Sequence, residues 1–146
     1  MTTLATPPVH STGTGHRVAL ARSRHAPDIA RRITARWLAA RGVSPCSAPD
    51  VLLVVSELVT NSLRHTSGTC TLTLTAHATR ISITVTDTST RLPRMRSDPA
   101  ANEDSGRGLA LLYGMGARIT VTPTPWGKAV EATVDVGGEA PHGLAE

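Results

Sequence analysis

The sequence predicts an α/β (α+β) two-layer sandwich, a mixed, mostly antiparallel five-stranded sheet with about three helices on one face. Three observations carry that expectation. Residues 49–67, PDVLLVVSELVTNSLRHTS, repeat their apolar side chains at helical spacing. Residues 69–76 and 80–87 alternate apolar side chains with threonine or serine, and so short a connection joins them that they read as an antiparallel hairpin. Residues 117–122 and 128–136 alternate again around a turn at Pro123, Pro125 and Gly127.

Length and composition bound the answer. At 146 residues and 40% hydrophobic content the chain suits one domain with a self-sufficient core. The expected division is a disordered arm over 1–15, rich in Thr, Pro, Ser and Gly, a folded domain over 16–136 and a frayed tail over 137–146. Trp37, Tyr113 and Trp126 are the only aromatics, so the core must come from Val, Leu, Ile and Ala. Base stacking has little to work with, and no nucleic-acid partner is expected. The net charge is +4 and the pI near 10.0, a balance that permits phosphates or an acidic partner protein. Lys128 is the one lysine; every other formally basic residue is Arg. Cys46 and Cys70 lack metal-like spacing, and no secretory or membrane-spanning run is present. A reduced, cytoplasmic chain without membrane contact is expected.

In chain order, residues 16–21 form a short strand suited to a sheet edge, with Val18 and Leu20 on one face. Pro27 and Asp28 open a helix that Arg41 and Gly42 close, its apolar stripe being Ile29, Ile33, Trp37 and Leu38. Arg31, Arg32 and Arg36 take its solvated face. Ser47 is the candidate N-cap of the central helix, whose apolar arc is Val51, Leu52, Val55, Leu58 and Val59. Glu57 and Asn61 lie on the border of that arc, one turn apart. They are either the wet edge of an amphipathic helix or a site. In the hairpin, Asp87 shares a face with Ile81, Ile83 and Val85. A carboxylate ending an apolar row either sits just past the core edge or points into a space between sheet and helix. Residues 88–104 have no period, and a loop of that length is a functional lid or a disordered segment. Ser105-Gly106-Arg107-Gly108 then leads into a short apolar helix over 109–115. Glycines and free N–H groups at a helix entrance suit a phosphate. No strand-glycine-helix unit opens the chain and no GxxxxGK[ST] occurs, so Rossmann and P-loop readings fall away.

Glu57-Leu58-Val59-Thr60-Asn61-Ser62-Leu63-Arg64-His65, then Val85-Thr86-Asp87 ending a strand, then Gly106-Arg107-Gly108-Leu109 opening a helix, resemble the three boxes of the ATPase superfamily shared by gyrase, histidine kinases and the ninety-kilodalton heat-shock chaperone. The short length and the ELVTNSLRH wording most resemble bacterial anti-sigma-factor serine kinases of the sporulation and stress-response type. The resemblance spans about 16–136. It implies a Bergerat-type fold that binds ATP with Mg²⁺. It implies Asn61 as the metal ligand, Glu57 as general base, and Asp87 as acceptor for the adenine amino group. Gly106, Gly108 and the N–H of Leu109 would cradle phosphates, with Arg107 as their charge partner and His65 nearby. The family's DxGxG is here Asp87-Thr88-Ser89-Thr90-Arg91, so backbone near Ser89 would carry the adenine-side turn. Ala129 stands where a threonine is usual early in the last strand, with Thr133 nearby. The implied function is a protein-serine kinase and anti-sigma factor acting on a sigma factor or an antagonist protein, with a homodimer compatible. The alternatives are a nucleotide-sensing interaction module without phosphotransfer and a basic nucleic-acid-binding domain, the latter supported by charge alone.

Overall fold

A computed structural model describes residues 15–65, 68–89 and 117–137. The helix expected over 109–115, residues 90–104 of the long loop and the glycine turn lie outside the described residues, as does the arm before Gly15. Seven elements follow in order: β1 (Gly15–Leu20), α1 (Ala26–Ala40), α2 (Ala48–His65), β2 (Cys70–Ala76), β3 (Arg80–Asp87), β4 (Arg118–Thr124) and β5 (Gly127–Asp135).

The strands form one sheet in the order β1-β2-β3-β5-β4, antiparallel at every described pairing. β1 is an edge, as the sequence predicts. β4 is the other edge, and it runs through Pro123 to Thr124, which the sequence places in the turn. A proline cannot donate to a ladder, and an edge strand has one side that needs no donor, so the hairpin tightens to Pro125 and Trp126. Threonines face each other across one side of the sheet, Thr71 opposite Thr86 and Thr73 opposite Thr84. These β-branched pairs suit a half-wet pleated surface.

The other side is apolar. Leu72, Leu74, Ile81, Ile83, Val85, Val130, Ala132 and Val134 are buried there against α2, which packs on β2, β3 and β5. From α2 come Val51, Val54, Val55, Leu58 and Val59, all essentially without exposure. Val54 thus joins the arc and Leu52 is only half-buried, because the sheet fixes the helix's rotation more narrowly than periodicity does. Each such aliphatic side chain contributes about 1.5–3 kcal/mol by leaving water. Ser47 immediately precedes α2 and is buried there, its carbonyl accepting from Val51.

α1 lies beside α2 and reaches β1. Arg31 departs from the solvated-face expectation: it pairs with Asp28 and donates to Ser56 Oγ at 2.9 Å, tying α1 to α2. Arg41 stacks over the Trp37 ring, 4.9 Å from its centroid. Cys46 is exposed and Cys70 buried, both as free thiols. Burial pushes the Cys70 thiol pKa up, the Ser62 hydroxyl opposes that and the Asp87 charge adds to it. A thiol reagent at neutral pH is expected to label Cys46 within minutes and Cys70 only after denaturant is added. Rapid uptake of two equivalents by the native protein would contradict this packing.

Candidate functional site

One end of the apolar core is polar. Asp87, the last residue of β3, is 4% exposed, so of the two sequence readings of this carboxylate the inward one holds. Its strand partner across the ladder is Lys128 on β5, 1% exposed. Lys128 Nζ donates to both carboxylate oxygens, at 3.0 Å to Oδ1 and 3.1 Å to Oδ2. The backbone N–H of Ser89 also donates to Oδ1, at 2.9 Å, which turns the chain as it leaves the sheet. That N–H takes a place in a turn where the sequence has no glycine. On the other side, the ladder that sets Thr71 opposite Thr86 continues toward Cys70 and Asp87.

Gly127 makes this end of the sheet close. A Cβ there would lie 2.1 Å from the Asp87 carbonyl oxygen and 2.6 Å from Thr88 Cα. Only a residue without a side chain lets the β4–β5 turn sit against the end of β3.

Helix α2 brings the second half. Asn61 is 6% exposed and Ser62 2%, and Ser62 meets Cys70, whose thiol also feels the Asp87 charge. The C-terminal half of α2 therefore covers the Cys70 and Asp87 end of the sheet. Glu57, one turn earlier, is half-buried and makes no hydrogen bond or ion pair among the described residues. Among those residues the amide Nδ2 of Asn61 is buried without a hydrogen-bond partner, and the Oγ of Ser62 has only the Cys70 thiol, a weak partner, beside it. Elsewhere in the core, Thr34 Oγ1 donates to the Ala30 carbonyl and Ser82 Oγ bonds the His77 ring, whereas Trp37 Nε1 is likewise buried without a partner among the described residues. An unmet buried polar group costs about 1–3 kcal/mol, so a polar partner for the Asn61 amide would be stabilising here.

The structure thus joins Ser89 to Asp87 and brings both Ser62 and Asp87 to Cys70; Asn61 precedes Ser62 on α2 and Glu57 lies one turn earlier. His65 ends α2 and its side chain is not described; Gly106, Arg107, Gly108 and Leu109 lie outside the described residues. Sequence reasoning missed Lys128. Its signals were parity, since Lys128 shares a face with Val130, Ala132 and Val134, and its being the one lysine among fourteen arginines, the remainder of the fifteen basic residues.

An antiparallel sheet covered by helices on one face defines an α+β two-layer domain, here with a polar cluster under the end of one helix. A family model for the histidine kinase-like ATPase domain matches residues 19–134, and the chain belongs to that family. No curated protein shows significant similarity to the chain. Among solved structures, a chain of the SiaB–SiaC complex from Pseudomonas aeruginosa is similar, with 15% identity, a TM-score of 0.60, and coverage of 86% of this chain and 93% of that one. A blue-light activated histidine kinase from Erythrobacter litoralis is also similar, with 24% identity and a TM-score of 0.48 over 68% of this chain and 33% of that one. Among the described residues, no helix is long and apolar enough to cross a membrane and no group of three or more His, Cys, Asp or Glu is placed to hold a metal.

Proposed function

We propose that this domain binds Mg·ATP and acts as a protein-serine kinase of the anti-sigma-factor type, transferring phosphate to a serine on an antagonist protein. Family membership supports the nucleotide, and the observation that carries the site is the unmet buried amide of Asn61, one turn from a Glu57 that has no hydrogen-bond or ion-pair partner among the described residues. The residues present fit the group. A single amide oxygen is a fitting Mg²⁺ ligand, because this cation keeps water and phosphate oxygens for most of its shell. Bound Mg·ATP would supply the phosphoryl group and the charge neutralisation for its transfer. Glu57, held by the helix and in no ion pair among the described residues, would accept the proton that the serine hydroxyl loses as its oxygen bonds to phosphorus. Asp87 would accept from the adenine amino group, and Gly106, Arg107, Gly108 and Leu109 would hold phosphates.

The partner is proposed on chemistry and likeness together. A basic chain suits an acidic partner surface, and the SiaB–SiaC chain of similar fold is found in a complex with another protein. A sigma factor, its antagonist and a homodimer are the partners to test. The second reading, a nucleotide-sensing module without transfer, draws support from the Asp87 carboxylate being already bonded to Lys128. Calorimetry with Mg·ATP and Mg·ADP is the deciding experiment, with saturable binding of both expected. No heat and no thermal stabilisation at millimolar nucleotide would end the ATP reading.

A further inference from the structure

We infer that Lys128 is a base-reading residue: its remaining N–H donates to N1 of the purine whose 6-amino group is accepted by Asp87. This rests on the nucleotide reading above and adds to it a contact that no family motif supplies, made by a side chain of this particular chain.

The argument is one of hydrogen-bond capacity. An ammonium has three donors, and two of Lys128's go to Asp87. The third has no acceptor among the described residues. A carboxylate accepts about four bonds; here Oδ1 takes Lys128 and the Ser89 N–H, while Oδ2 takes Lys128 alone. One donor and one acceptor are therefore left over, side by side, on two buried groups of opposite charge. The Watson–Crick edge of adenine is the complement, an N6–H donor next to an N1 acceptor. Both groups stay ion-paired while they bind it, so neither buried charge has to be stripped of its partner.

Ala129, the next residue on β5, has no polar side chain to offer, and parity turns it to the other face of the sheet from Lys128. Lys128 is thus the polar side chain that β5 directs to this end of the core. Lysine suits the role better than arginine. Its three donors radiate from one atom, so two can hold a carboxylate while the third points elsewhere, whereas a planar guanidinium bonded bidentately is committed to that plane.

A 6-oxopurine presents the reverse order at positions 6 and 1, which is what makes the assignment testable. The experiment is calorimetric titration of the unmodified full-length protein with the Mg²⁺ complexes of ATP, 1-deaza-ATP and GTP. Because 1-deaza-ATP keeps the amino group and lacks only the N1 acceptor, it is expected to bind about ten- to a hundredfold more weakly than ATP. GTP should be weaker still. The double variant Asp87→Asn/Lys128→Met, which removes both charges together, should bind ATP and 1-deaza-ATP within about twofold of each other. Equal affinity of the unmodified protein for ATP and 1-deaza-ATP would overturn the Lys128 assignment and leave the nucleotide reading standing. GTP binding as tight as ATP would overturn it too, by showing that the pair reads an oxo edge. No binding of any of the three would overturn the nucleotide reading itself.

Discussion

Asp87→Asn is expected to destabilise the fold by about 3–5 kcal/mol, the usual consequence of leaving one member of a buried ion pair without its partner. The geometry makes this case severe. Both side chains are 1% exposed, so in the free protein the Lys128 ammonium left behind would be poorly hydrated, with no other anion bonded to it among the described residues. Lys128→Met should cost a similar amount, since the carboxylate would keep only the Ser89 N–H as a donor. The double variant Asp87→Asn/Lys128→Met should recover much of the loss, because two neutral groups of matching size need no mutual neutralisation. Urea denaturation of the four proteins gives the coupling energy directly. Additive losses, or a single variant as stable as the unmodified chain, would mean that the ion pair is not what holds this end of the sheet. The same cycle bears on ligand binding. An Asp87→Asn protein that fails to bind ATP has not shown that Asp87 touches adenine, because its binding surface is also disturbed; the double variant is the fair reference.

Glu57→Gln is expected to lower phosphotransfer to a genuine partner by about 10²–10⁴ while Mg·ATP affinity stays within a few-fold, the usual contribution of a positioned base. Stability should barely change, within about 0.5 kcal/mol, because Glu57 has no bonded partner among the described residues to lose. Asn61→Ala should behave in the opposite way. Its Nδ2 is buried without a partner, so removing the amide gives up no internal hydrogen bond, yet nucleotide affinity should fall in Mg²⁺ and far less in EDTA. Full transfer by Glu57→Gln would remove the general-base role. An Asn61→Ala protein with unaltered Mg²⁺ dependence would return this border of the helix to an ordinary structural edge.

Much of this was legible in the residues because it depends on local geometry. The alternation of Ile81, Ile83, Val85 and Asp87 put a carboxylate on the apolar face before any partner was known, and the burial of Asp87 follows from that parity. The run from Val51 to Val59 specified a helix with one buried side, and the glycine just after α1 specified its end: Gly42 has a φ of 73°, a conformation that favours glycine. These are periods of 2 and 3.6 written into the chain. What the tertiary structure decided was which separate stretches meet. β3 pairs with β5 rather than β4, and only that pairing sets Asp87 opposite Lys128, 41 residues further along the chain. Likewise Arg31 reads as a solvated cation until α2 brings Ser56 to it. The strand through Pro123 has the same origin, for a proline is excluded from a strand only where a neighbour needs its missing N–H, and being at an edge is a property of the sheet. Periodicity tells each side chain which way to face; whether a charge so directed finds its counter-charge depends on the long-range register, which no local pattern contains.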